Sequence, residues 1–156
     1  MIPIQLVRQK KGYTCGPTCL KMVLAYYGVR KTERELEKKA HTTPRRGTNP
    51  HSLVSAAREM GMDARYMENA TFRDIKSYLK KGIPVLVNWW GVEDEYTLHN
   101  PFVGNDSLAL PDGHYSVMVG LDKKFVYIAD PEFKFPRKMN RQVFYRHWFD
   151  FSGDYL

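Results

Sequence analysis

The chain has 156 residues, of which 43% are hydrophobic, 26% charged and 13% aromatic, enough for one core and one domain spanning residues 1–156. Nine prolines and 11 glycines spread along that length exclude a fibrous repeat, and the apolar content excludes a disordered chain. The longest apolar stretches, such as residues 83–87, fall far short of the roughly 20 residues of a membrane span. Met1-Ile-Pro-Ile-Gln carries no signal-peptide pattern. A cytoplasmic protein without stable membrane insertion is expected.

Charge is unevenly placed. Residues 1–48 hold eleven Lys and Arg against Glu33, Glu35 and Glu37, a net of +8, whereas the other 108 residues carry a net of −1. A basic N-terminal third can attract an acidic partner, although the alternating signs of residues 31–39 equally describe a solvated helix face. The basic residues lack an interleaved aromatic platform, so a nucleic-acid partner is not expected.

After an extended lead over residues 2–7, residues 15–28 read as a helix, with Thr14 as N-cap, Pro17 in the first turn and Gly28 closing it. Cys19, Met22, Val23, Tyr26 and Tyr27 recur at helical spacing and mark its buried side. A second helix starts at Thr32, where Glu35 completes a capping box. A third runs over residues 50–60 and stops at Gly61. A fourth starts at Thr71 with Asp74 as its acid and ends at Lys80-Lys-Gly82. The pattern then changes: residues 84–90 form an apolar run of strand length, and a turn-rich stretch follows over residues 91–113. Residues 114–121 and 124–129 flank Asp122-Lys123 as a β-hairpin. The aromatic tail, residues 133–149, gives mixed signals. Helices first and strands later predict an α+β fold, with the helical half on one face of an antiparallel sheet.

The only cysteines, Cys15 and Cys19, are four apart on one helix, a spacing unsuited to a disulfide, and no Cys/His set has zinc-ligand spacing. That leaves a thiol with chemistry to consider. Cys15 opens a helix, where unsatisfied N–H groups and the helix dipole favour a thiolate. Gly16 beside it leaves room for a substrate and offers a backbone N–H to an oxyanion. Of five histidines, His41 lies in a basic loop, His51 in a helix start, His99 in the long turn and His147 in the tail. His114 alone opens a strand, and Asp130 ends its partner strand. With the hairpin centred on Asp122-Lys123, residues 114 and 130 fall within about one residue of the pairing register, about 4.5–5.5 Å apart. Cys15 as nucleophile, His114 as general base and acid and Asp130 as orienter form a consistent set that needs no metal or organic cofactor. Gln9 offers an amide donor for an oxyanion hole together with the Cys15 N–H, and Gln5 offers the same chemistry.

Gln9-Lys-Lys-Gly-Tyr-Thr-Cys-Gly-Pro-Thr-Cys-Leu-Lys-Met-Val-Leu-Ala-Tyr-Tyr-Gly28 resembles the N-terminal signature of the C39 cysteine peptidases, papain-like domains known as the leader-cleaving modules of bacteriocin-exporting ABC transporters. Gly113-His-Tyr-Ser-Val-Met-Val-Gly and Tyr127-Ile-Ala-Asp-Pro131 are similar to the family's His and Asp segments. The resemblance spans about residues 3–135 and implies a papain-like fold, Cys15, His114 and Asp130 as the triad, Gln9 rather than Gln5 as oxyanion donor, and a peptide or protein as substrate. The chain stops at residue 156 with neither membrane domain nor ATPase, so a standalone member is expected. The implied reaction is cleavage of a peptide bond, after Gly or another small residue, through an acyl-enzyme at Cys15. A thiol acyltransferase or glutamine deamidase would use the same triad, and a non-catalytic member would only bind peptides. The Glu93-Asp-Glu95 cluster within residues 89–111, if beside a cleft, would favour basic peptides, whereas the basic N-terminal face would favour acidic ones.

Overall fold

The structure, a computed structural model, describes residues 1–90 and 113–153. Four helices come first: α1 (Cys15–Tyr26), α2 (Glu33–Lys39), α3 (Pro50–Glu59) and α4 (Phe72–Lys80). Strands β1 (Val85–Trp90), β2 (Gly113–Leu121), β3 (Phe125–Ala129) and β4 (Arg137–Asn140) follow, and α5 (Arg141–Gly153) comes last. The strands form one antiparallel sheet in the order β1-β2-β3-β4.

The helix ends form where the chain's own chemistry marks them. Thr32 with Glu35 and Thr71 with Asp74 both close reciprocal capping boxes at the starts of α2 and α4. Asn49 accepts from the His51 N–H ahead of Pro50 at the start of α3. Gly28 ends α1 at φ 80° and Gly61 ends α3 at φ 83°, left-handed positions that a side chain disfavours.

Two apolar clusters sandwich the sheet. On one face Cys19, Leu20, Val23 and Leu24 of α1, Leu36 of α2 and Leu53 and Ala56 of α3 pack against Tyr115, Val117 and Val119 of β2. On the other, Ile75 of α4 and Phe144 of α5 pack against Val87, Trp89, Met118, Val126, Ile128 and Met139. The expected arrangement, helices on a single face, is therefore half of the architecture. The tail that gave mixed signals supplies β4 and α5, which cover the other face. Strand β2 lies between both clusters, and residues 114–120 are all buried, which is why its sequence reads as a nearly continuous apolar run.

The N-terminal lead lies against this frame. The Ile2 N–H donates to the Val119 carbonyl at 2.7 Å and the Gln9 N–H to the Pro131 carbonyl at 2.9 Å. Among the described residues no helix is long and apolar enough to cross a membrane. The stretch expected to be turn-rich, with His99 and the acidic cluster at 93–95, lies outside the described residues.

Candidate active site

Three elements bring Cys15, His114 and Asp130 together. Cys15 is the first residue of α1, His114 lies at the start of β2, and Asp130 directly follows β3. His114 Nε2 hydrogen-bonds Asp130 Oδ1 at 2.9 Å, and the Cys15 thiol lies near enough to the ring to interact with it electrostatically. With Nε2 committed to Asp130, Nδ1 is the nitrogen left to meet the sulfur. All three are buried, Asp130 to 1% exposure and the other two to 7%.

The electrostatics follow from this arrangement. Burial alone would push the His114 ring toward its neutral form, but the hydrogen bond and charge of Asp130, with the nearby Cys15, outweigh it and raise its pKa to about 10. Burial likewise opposes ionisation of Asp130. Its bond and charge contact with His114, the Glu132 N–H at 3.0 Å and the Arg137 guanidinium at 3.7 Å outweigh burial and hold its carboxyl below the ordinary range. At neutral pH the pair is thus imidazolium and carboxylate.

The hairpin register differs from the expected one. Val117 faces Ala129 and Met118 faces Ile128, with an irregularity between Met118 and Gly120. Extended one step, this register sets Asp130 opposite Ser116, and the carboxylate reaches His114 diagonally. The bulge is invisible to a count of residues about the turn.

The same register exposes two positions that sequence reasoning missed. Ser116 donates to Asp130 Oδ2 at 3.1 Å and accepts from Trp89 Nε1–H at 3.0 Å. Asp130 therefore accepts on both oxygens, and Trp89, fully buried, stands behind it. The signal was available: Ser116 lies two residues after His114 and so on its face of the strand. Glu132, in the turn after β3, brings Oε1 to 4.0 Å from Nδ1. His114, Asp130 and Glu132 offer ligand atoms within 4.8 Å of one another, a spacing that could hold a metal ion. His114 Nε2 and Asp130 Oδ1 are bonded to each other there.

Gly16 does something other than expected. A Cβ there would meet Thr48 Oγ1 at 2.9 Å, Thr48 Cβ at 3.0 Å and Tyr115 Cδ2 at 3.3 Å. The space beside it is filled by the protein itself, and the glycine lets α1 dock against Thr48 and Tyr115. Tyr115 completes that contact by donating its hydroxyl to the Thr48 carbonyl at 3.0 Å.

Cys19 is a different thiol. It is fully buried, donates to the Tyr115 carbonyl at 3.2 Å, and burial, then the nearby Cys15 and Asp130, push its pKa well up. Gln9 is fixed beside Pro131 by its backbone, and its side-chain Nε2–H donates to the Lys11 carbonyl at 2.9 Å, while Oε1 is buried without a partner among the described residues. Gln5 is exposed. His51 stacks edge-on against Tyr66 at 4.8 Å, and His41 is exposed.

A sheet flanked by helices, with the N-terminus of α1 set beside β2, is a papain-like layout, and solved structures share the fold. The peptidase domain of Streptococcus ComA, described as a bi-functional ABC transporter involved in quorum sensing, superposes with a TM-score of 0.72 at 22% identity, covering 93% of this chain and 92% of that one. A putative C39-like peptidase from Bacillus anthracis gives 0.73 at 18% identity over 97% and 92% of the two chains. A double glycine motif protease from an AMS/PCAT transporter, solved with its leader peptide, gives 0.68 at 23% identity over 94% and 86%. The Peptidase_C39 like family model matches residues 1–155, and the chain belongs to that family. Uncharacterized proteins of Methanothermobacter marburgensis and Methanothermobacter thermautotrophicus are each 31% identical over 126 residues, which is 81% of this chain and 70% of theirs.

Proposed function

We propose that the protein is a cysteine peptidase in which Cys15, His114 and Asp130 act as the catalytic triad. The observation that carries this reading is the buried His114–Asp130 pair, its carboxylate held on both oxygens, set beside a thiol at a helix N-terminus. The Cys15 sulfur, as thiolate, attacks the carbonyl carbon of the scissile bond. The negative charge then on the carbonyl oxygen is met by the Cys15 backbone N–H, and by Gln9 once its amide turns from the Lys11 carbonyl. The His114 imidazolium gives its proton to the leaving amine, leaving a thioester on Cys15. Neutral His114 then takes a proton from water, whose oxygen attacks the thioester, and the proton returns as the acid product leaves and Cys15 is regenerated. Asp130 holds the ring in place throughout.

A peptide or protein substrate is supported by the leader peptide bound to the AMS/PCAT protease, and that protease's double-glycine motif supports cleavage after Gly or another small residue. A cytoplasmic setting, where thiols stay reduced, suits a Cys15 nucleophile. The test is a peptide-library digest by wild type, Cys15→Ser and His114→Ala chains. Cleavage by wild type alone, with a thioester trapped on Cys15 by acid quench and mass spectrometry, is the expected result. Cleavage that survives Cys15→Ser, or none by the wild type, would overturn it.

A further inference from the structure

Glu33, the first residue of α2, is 5% exposed, an unusual place for a carboxyl group. It is not needed as a helix cap, since Thr32 and Glu35 already serve the α2 N-terminus. Its Oε1 accepts from the Lys10 N–H at 3.1 Å and from the Thr14 hydroxyl at 2.5 Å, while Oε2 is buried and meets no donor among the described residues. Thr14, fully buried at the N-cap position of α1, makes no side-chain cap bond; its hydroxyl lies between Glu33 and the Lys11 carbonyl, 3.0 Å away, and accepts from the Lys11 N–H at 3.3 Å. One turn further along α2, Glu37 holds the Lys11 ammonium at 2.8 Å and the Tyr13 hydroxyl at 3.1 Å. Burying a carboxyl with one oxygen unpaired costs stability that an apolar residue would not, which makes the two bonds it does form worth following.

The two groups that Glu33 binds bracket the loop. Lys10 follows Gln9, and Thr14 precedes Cys15. One oxygen thereby ties the backbone that follows Gln9 to the residue that precedes the Cys15 N–H, the two residues assigned above as oxyanion donors. We propose that Glu33 is a positioning residue that sets the oxyanion hole by clamping both ends of the loop over residues 10–14. The inference rests on the peptidase reading. It adds a residue that touches neither substrate nor reacting atoms.

The full-length chain and its E33Q, E33A and T14V variants test it, with a peptide that the wild type cleaves. E33Q keeps an acceptor oxygen for both bonds and should turn over within about threefold of wild type. E33A should lower kcat about 10²-fold with KM within about twofold, because oriented groups are lost while substrate contacts stay. Backbone amide exchange over residues 10–15 should quicken in E33A at a temperature where its circular dichroism is native. A wild-type kcat in E33A, whatever its Tm, would overturn the proposal, and so would E33Q as slow as E33A. Should E33A fail to fold, T14V removes one of the two clamped ends with little change in shape, and an unaltered kcat there overturns it as well. If the wild type cleaves no peptide, the peptidase reading falls on its own. The exchange data then decide, unchanged protection over residues 10–15 in E33A or T14V counting against the clamp.

Discussion

Asp130 bonds both His114 and Ser116, and its two oxygens divide the work. Oδ1 takes the imidazole and the Glu132 N–H, and Oδ2 takes the Ser116 hydroxyl, with the Arg137 guanidinium 3.7 Å away. A carboxylate bound on both sides cannot swing away from the ring without breaking a second bond, so its orientation is fixed before any substrate arrives.

Ser116→Ala should show what that second bond contributes. It leaves Asp130 Oδ2 without its hydroxyl donor and the Trp89 indole N–H without its acceptor, both in buried surroundings. The expected loss is about 1–3 kcal/mol of stability, measured by urea unfolding, with a fall in kcat beyond what unfolded protein explains. Ser116→Thr, which keeps the hydroxyl, should retain more activity than Ser116→Ala if the bond matters more than the fit.

The His114–Asp130 pair predicts a pH dependence of defined sign. Asp130→Asn removes the charge that raises the ring's pKa, so the basic limb of the pH–rate profile should move to lower pH and kcat fall on the order of 10²–10⁴-fold. Stability should respond too. Because the folded ring keeps its proton up to about 10 and the unfolded ring loses it near the ordinary 6.5, the stabilisation is complete below the lower value. It is lost as the pH rises through the upper one. Urea midpoints taken across that window should decline in wild type and flatten in His114→Ala. Asp130 acts in the opposite sense: its contribution is present above the ordinary carboxyl value of 3.8 and disappears as the pH falls below it.

The two thiols should separate cleanly in alkylation. Cys15 has the imidazolium beside it, while Cys19 is enclosed and bonded to the Tyr115 carbonyl. Iodoacetamide at pH 6–7, read by peptide mass spectrometry, should label Cys15 at least about 10-fold faster than Cys19, and His114→Ala should erase most of that lead. Equal rates in the wild type would contradict the assigned pairing.

Gly16→Ala is expected to harm the site through packing rather than by blocking substrate. The added methyl meets Thr48 at 2.9–3.0 Å, and Thr48 is itself tied to Thr42 at 2.7 Å and to the Tyr115 hydroxyl. A cost of about 1–3 kcal/mol in urea unfolding is expected for such an overpacked contact. Pairing it with Thr48→Ser, which removes the opposing methyl, should recover part of the loss.

Much of this was legible before any coordinates. Caps and glycines placed α1 to α4 within a residue or two, because Thr32, Thr71, Gly28 and Gly61 act locally on the backbone. Cys15, His114 and Asp130 were legible because their chemistry and their positions at element ends agree. What escaped depends on long-range packing. Leu121 faces Val126, so the hairpin is centred later than Asp122-Lys123, and the irregularity between Met118 and Gly120 recovers only one step of that offset. The second face of the sheet was hidden because Phe144 and Trp148 sit in a tail whose aromatic residues fit no simple period. The basic surplus of residues 1–48 also looks different once folded. Lys11, Lys31 and Lys39 pair with Glu37, Glu35 and Glu59, the last pair joining α2 to α3.

Trp89 touches both halves of this arrangement. Its indole N–H is bonded through Ser116 to Asp130, its ring lies 6.3 Å from the His114 ring, and its other side packs on Phe144 at 5.1 Å. A charged imidazole quenches a neighbouring indole more than a neutral one does, so Trp89 is a built-in optical reporter of the proton on His114. With Trp90 and Trp148, the other two of the chain's three tryptophans, replaced by Phe, emission followed in a stopped flow would register acyl transfer as it happens, without a labelled substrate.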